Sequence, residues 1–335
     1  MNPEVKEQDI RPEVLLQRYL ELSAEDAREC FGAEPRSAVA CVACGGSNGS
    51  CQFDKNGFAY VRCADCGTLF QNPRPPLAAF ETFYRNSKSS RYWSDVFMPA
   101  VAEIRREKMF RPRVRRLATL CRERGIHVER LVDVGAGYGI FLDEWRAHCP
   151  ATDLLAVEPS ASLASVCRSK GLAVVEEIVE HVVGHDGSAD LVTCFEVLEH
   201  VHTPLNFVRA LARLARPGGY VCISALCIDG FDLQMLWDKS TQISPPHHIN
   251  FLSVCGFETL FARAGLEEVT VATPGQLDVD IVRNAAARNP GVLAGHRFLQ
   301  AVLEADGTAA RFQEFLSASR LSSHAWVLGR RARSR

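Results

Sequence analysis

The chain has 335 residues, 47% of them hydrophobic, and a formal net charge of −2. That length and apolar content suit one sizeable α/β domain with appendages, and neither an internal repeat nor a low-complexity segment interrupts it. The balanced charge gives no support to a nucleic-acid partner, which needs a basic surface, and no apolar stretch is long enough to span a bilayer.

Met1 to Ile10 carries charges and no apolar run, so no signal peptide is expected and a cytoplasmic chain is. Its 13 cysteines should then be reduced or metal-bound. Cys149, Cys167, Cys194 and Cys222 fall on predicted helices or strands as small apolar fillers. Residues 1–35 form an N-terminal helical segment in which 11–31 read as two short helices. Pro12 opens the first, with Leu15, Leu16, Tyr19 and Leu20 as its apolar face; Ser23, with Asp26 three positions on, caps the second. They pack on the body of a monomer or across a homodimer; the sequence does not choose.

Residues 36–72 hold Cys41-Val42-Ala43-Cys44-Gly45 and, with 18 residues intervening between Cys44 and Cys63, Cys63-Ala64-Asp65-Cys66-Gly67. Each is a knuckle whose glycine lets the turn fold back so that backbone amides face the sulfurs. Four thiolates at this spacing predict a zinc ribbon, with Phe58-Ala59-Tyr60-Val61 as one of its strands. A site closed by Cys41, Cys44, Cys63 and Cys66 is structural, not catalytic. A ribbon that reads nucleic acid should be basic, yet between the outer cysteines only Lys55 and Arg62 face Asp54 and Asp65.

Residues 73–128 begin with the extended Asn72-Pro73-Arg74-Pro75-Pro76 linker, then a helix with Phe80, Phe83 and Tyr84 on one face. Arg91-Tyr92-Trp93-Ser94 leads into a long basic helical region that Pro99 and Pro112 must start, break or kink.

From residue 130 strand and helix alternate, which predicts a parallel sheet covered on both faces. Strands are expected near 130–135, 153–158, 172–175, 189–195, 219–225 and 266–271, and helices near 138–148, 160–169, 203–215 and 254–265. In Leu131-Val132-Asp133-Val134-Gly135-Ala136-Gly137-Tyr138-Gly139 a buried strand runs into a glycine turn and then a helix. The spacing is G-x-G-x-G, not the dinucleotide fingerprint, and the acid Asp133 suits a cationic ligand group better than a phosphate. The next strand ends in Glu158-Pro159, where an acid can take both hydroxyls of a ribose.

These motifs, with Phe195-Glu196-Val197-Leu198-Glu199-His200 after the fourth strand and Arg216-Pro217-Gly218-Gly219 before the fifth, resemble those of class I S-adenosylmethionine (SAM)-dependent methyltransferases. The resemblance implies a Rossmann-like seven-stranded sheet of order 3-2-1-4-5-7-6 over 129–335, with 73–128 as a helical lid. It implies a SAM site formed by Asp133, Gly135, Ala136, Gly137, Glu158 and Pro159, with Phe195 and Glu196 at the reactive end and Tyr92 and Trp93 closing over it. The seventh strand is expected near His324–Gly329, which leaves 273–323 as a helical insertion helping to form the acceptor pocket. There Asp278 and Asp280 would hold sugar hydroxyls or cap a helix near Ile281. The basic Arg330–Arg335 reads as a solvated tail.

Ser244-Pro245-Pro246-His247-His248 resembles the Glu-His or His-His element of zinc-containing methyltransferases that act on nucleotide-linked deoxysugars. By that resemblance His248 is the general base of O-methylation, with His247 orienting it or the substrate, and the rate should rise through an ionisation near that of histidine. The expected partner is a sugar-like small molecule. N- or C-methylation is the alternative, and a zinc-ribbon binding module on a SAM-sensing fold is a second.

Overall fold

The protein is described by a computed structural model that covers residues 5–333; Met1 to Glu4, at the expected leaderless N-terminus, and Ser334 and Arg335, in the expected basic tail, lie outside the described residues. The ribbon comes first. β1 (Gly49–Lys55) and β2 (Phe58–Cys63) form a hairpin whose two-residue loop, Asn56-Gly57, has φ of 49° and 79°. Asn-Gly tolerates that left-handed pair, which matches the twist of the flanking strands. β3 (Leu69–Gln71) adds to β2.

The large sheet uses β4 (Arg130–Val134), β5 (Asp153–Val157), β6 (Ala173–Val175), β7 (Ala189–Phe195) and β8 (Ala215–Leu226). The short β9 (Asn250–Phe251) leaves for the ribbon, and β10 (Leu266–Ala272) and β11 (His324–Arg331) complete the sheet. Its order, β10-β11-β8-β7-β4-β5-β6, is the expected 6-7-5-4-1-2-3, and β11 runs antiparallel to both neighbours. Side chains of β4 alternate between two cores. Leu131 faces the helices Arg111–Glu123 and Ile140–His148, packing with Leu117, Phe141 and Trp145; Val132 and Val134 face the helices Pro204–Leu214 and Val254–Arg263. Each such fully buried side chain is worth about 1.5–3 kcal/mol.

Four sequence expectations change. The two N-terminal helices of 11–31 are one, Glu13–Phe31. Ser23 caps nothing: its hydroxyl donates to the Tyr19 carbonyl within the helix, and Asp26 instead accepts from the Lys88 and Ser89 amides. Pro99 and Pro112 do start helices as expected, each lying in the first turn of Met98–Arg105 and Arg111–Glu123, within a helical run that continues from Lys88 to Glu123. Each follows a wide turn, Trp93–Phe97 and Arg106–Phe110, that absorbs the missing donor. The Arg330-Arg331 end of the tail is strand: Arg330 pairs with Glu268 at 2.7 Å, and Arg331 donates to the carbonyls of Arg213 and Ala215.

The fourth change matters most for the site. The ribbon is not a separate module. β3 pairs antiparallel with β9, which directly follows His247-His248-Ile249, and the Gln71 amide donates to the Ile249 carbonyl. Buried Arg74, in the supposed linker, donates to the Gln71 and His202 carbonyls and to the Asn250 side chain. Cys41, Cys63 and Cys66 share a core with Phe257 and Leu260 of the large domain. The 273–323 segment is helical, with Asp278–Arg288, Arg297–Glu304 and Asp306–Ala318 packed around Leu236. Among the described residues no helix is long and apolar enough to cross a membrane.

Candidate active site and metal centre

The glycine turn is held open by its neighbours. The Gly135 amide donates to the Val157 carbonyl, which ties the end of β4 to that of β5. Gly135 has φ of 70°, and a Cβ there would meet Val197 Cγ2 at 2.7 Å; at Gly137, φ 56°, a Cβ would meet nothing within 4 Å. The first glycine is therefore needed for packing as well as conformation, while the second faces free space. Glu158 spans the turn: Oε2 accepts from the Gly137 amide at 2.8 Å and Oε1 from the Ser160 amide at 2.9 Å. Burial raises its carboxyl above the ordinary glutamate range, against those two bonds. Buried Asp133 accepts from Thr193 Oγ1, and burial pushes its carboxyl up to about 7. Ala136 is half-buried in the turn and Pro159 is exposed at its edge.

At the end of β7, Phe195 meets Phe141 edge-on at 4.7 Å, and the Arg113 guanidinium lies 4.6 Å over its ring. Glu196 adopts φ of 56°, a left-handed conformation rare for a residue with a side chain. Its Oε1 gathers Arg113 at 3.1 Å, His324 at 2.8 Å and the Ser224 hydroxyl. Burial opposes ionisation, but His324 and Arg113 hold the carboxyl well below its ordinary range. Glu199 is the opposite case: burial first, then the neighbouring Glu196 charge, raise it well above.

The two histidines separate. His247 is buried, its Nε2 2.8 Å from Ser89 Oγ and its ring packed against Phe83 and Tyr19. Ser89 in turn donates to Asp26. These contacts make His247 an anchor between the N-terminal helix and the loop, and they occupy the ring expected to orient the substrate. His248 is half-buried; its Nδ1 donates to the Gln242 carbonyl, and no partner of Nε2 is found among the described residues. Burial lowers His247 to about 3 and His248 to about 4. Trp93 stacks on Phe97 at 4.3 Å and lies 5.1 Å from Tyr19, so helix packing accounts for it; Tyr92 is half-buried one residue earlier.

The sequence reading passed over Glu199 and His200. His200 meets the His248 ring edge-on at 4.7 Å, and Glu199 Oε2 is buried without a hydrogen-bond partner among the described residues. Ligand-type atoms of Glu199, His200 and His248 all lie within 4.8 Å of one another, a set able to hold a divalent cation. The signal was present as Glu196-x-x-Glu199-His200 at a strand end. Asp278 and Asp280 turn to structure: Asp278 takes the Ser323 amide and Ser322 hydroxyl, and Asp280 takes the Glu7 amide.

The four ribbon sulfurs converge, with Cys41 Sγ 3.5 Å from Cys66 Sγ and Cys44 Sγ 3.6 Å from Cys63 Sγ. Tetrahedral zinc at about 2.3 Å from each sulfur sets them about 3.8 Å apart, so the set fits. The Gly46 amide faces Cys44 Sγ at 3.4 Å, and Gly45 and Gly67 take φ of 81° and 77°.

A family model described as "Methyltransferase domain" matches residues 101–271, just over half of the chain. The ubiquinone biosynthesis O-methyltransferase of Sodalis glossinidius is 37% identical over 110 residues, which covers 31% of this chain and 44% of that protein. The Escherichia coli protein of the same name is 39% identical over 111 residues, 32% of this chain and 46% of its own length. The chain thus spans less than half the length of these curated relatives. Among solved structures, the plantazolicin methyltransferase BamL, in complex with a triazolic desmethylPZN analogue and SAH, superposes with a TM-score of 0.50 at 13% identity, over 75% of this chain and 94% of that one. At that identity the likeness concerns the fold alone.

Proposed function

The chain belongs to the methyltransferase domain family, and on that premise we propose that it transfers a methyl group from SAM to a hydroxyl of a small, sugar-like acceptor. One observation carries this reading: Glu158 clamps an open glycine turn at the β4–β5 edge, while the polar cluster of Glu196, Arg113, His324 and Ser224 lies beyond the end of the adjacent strand. Ligands of open α/β sheets bind at that edge.

SAM supplies an electrophilic methyl on a positively charged sulfur. Asp133, Gly135, Ala136, Gly137, Glu158 and Pro159 would hold it, with Phe195 and Glu196 at the reactive end of the site, and His248 Nε2 would take the proton of the acceptor hydroxyl. The curated relatives are named as O-methyltransferases, which favours oxygen over nitrogen or carbon. Zinc on Cys41, Cys44, Cys63 and Cys66 holds the ribbon that carries β9 and so steadies the His248 loop.

Two measurements test the cofactor half. Glu158→Ala should weaken SAM by about ten- to a hundredfold, the worth of charge-assisted hydrogen bonds to a ribose, with thermal stability checked alongside; tighter binding of NAD than of SAM would refute the assignment. A cation beside Asp133 favours its ionised form. SAM should therefore bind more tightly as pH rises from about 6 to about 8, by up to about tenfold per unit below the carboxyl's own pKa near 7. A flat profile, or one that survives in Asp133→Asn, would remove Asp133 from the cofactor site.

One observation favours a second reading of the base. The orphaned Glu199 Oε2 beside His200 and His248 suits a divalent cation, which would lower the pKa of an acceptor hydroxyl directly. Glu199→Gln would then be as damaging as loss of His248, and magnesium or manganese would restore dialysed enzyme. With His248 acting alone, mild chelation that spares the ribbon leaves turnover unchanged.

A further inference from the structure

A cavity of about 160 Å³ lies where β7 and β8 end and β11 begins, lined there by Glu196, Leu226 and His324. That is roughly five waters' worth of space, more than one ordered water fills. In a chain of net charge −2, five cations converge on it: Arg11, Arg105, Lys108, Arg113 and Arg116. Two are already neutralised, Arg113 by Glu196 at 3.1 Å and Lys108 by Asp9 at 2.6 Å. The one other acid on the wall, Asp278, is taken up by Ser322, Ser323 and Gln313.

Three guanidinium groups remain. Arg11, Arg105 and Arg116 have no carboxylate within ion-pair distance among the described residues. Arg11 Nη1 and Arg105 Nε are buried with no hydrogen-bond partner there, and Arg11 reaches only Gln242 Oε1, at 3.4 Å. Burial, with Arg11 beside it, lowers Arg105 to about 10. Like charges brought together with unused donors are costly unless an anion arrives to share them. The planar guanidinium fork suits a carboxylate or a phosphate.

We infer that the acceptor carries an oxyanion, a carboxylate or a phosphate, and that Arg11 and Arg105 hold it in this cavity with Arg116 at the mouth. The inference rests on the cavity being the acceptor site of the proposed transferase. It narrows the acceptor from any hydroxylated small molecule to an acidic one, and it gives the N-terminal segment, through Arg11, a part in recognition.

The test is calorimetry on the full chain saturated with SAH, using pyrophosphate and succinate as probes. At least one should bind, and the tighter of the two tells a phosphate acceptor from a carboxylate one. Arg11→Gln and Arg105→Gln should each weaken it about ten- to a hundredfold, with SAH affinity unchanged. Should Arg105→Gln fail to fold, Arg11→Gln and Arg116→Gln decide by the same readout. Absence of binding by both probes, or binding indifferent to the substitutions, overturns the inference. So does a fall in SAH affinity in place of probe affinity, which would assign the guanidinium groups to the cofactor's carboxylate. Pyrophosphate binding as expected in a protein that takes neither SAM nor SAH would sink the transferase reading while leaving the anion site standing.

Discussion

Replacing His248 with alanine should lower turnover by about a hundred- to ten-thousandfold while SAM binds as before, the range typical for a lost general base. The geometry singles out this ring. Its Nδ1 proton is committed to the Gln242 carbonyl, which fixes the tautomer and leaves the Nε2 lone pair free. Its neighbour cannot substitute, because His247 is buried against Phe83 and Tyr19 and joined to Ser89. His247→Ala should therefore show mainly as lost thermal stability. The pH profile expected from sequence changes as well. Burial lowers His248 to about 4, so the ring is already neutral near pH 7 and the rate should show no histidine step between about pH 6 and 8. Near-normal turnover of His248→Ala on the identified acceptor would discard the base and turn attention to amine methylation or to a cation at Glu199.

The second large effect is expected at the ribbon. Cys63→Ser should lose the single zinc per chain, lower the melting temperature by on the order of 10 °C and abolish most activity, because the binding free energy of a structural zinc is folding free energy. Activity is included because the ribbon sheet continues through β9, the strand that follows His248, and because the cysteine cluster shares its core with Phe257 and Leu260. On chelation, hydrogen exchange should rise in β3, in β9 and in the helix Val254–Arg263, and not only within 36–72. Metal-free protein of unchanged stability would contradict the zinc assignment; exchange confined to 36–72 would contradict the coupling. The same pairing leaves little room for the ribbon as an independent recruiting module.

Much of the chain could be read locally. The six parallel strands, the helices between them and a further strand near His324 followed from apolar runs, glycine stops and turn residues, and the antiparallel direction of that last strand from the family resemblance. The glycine turn and Glu158 were legible as motifs at strand ends, although the bonds that hold them, Gly135 to Val157 and Gly137 to Glu158, cross between strands. The four cysteines were legible because their knuckles are local too. What misled was equally local. Ser23 and Asp26 have the spacing of a helix start, yet burial of Tyr19, Leu22 and Phe31 along one face keeps the helix continuous.

By itself, then, the sequence determined the strands, the helices and the knuckles, because period, capping and turn chemistry act over a few residues; the order of the sheet followed from the family resemblance. Tertiary structure alone decided which of two adjacent histidines is buried against the N-terminal helices and which stays half-exposed. It also decided that Arg74 and β9 weld the ribbon to the site, and that Glu196 gathers Arg113 and His324 from 83 and 128 residues away. Those choices depend on which side chains lose water together and which buried charges find partners, and no window along the chain contains that information.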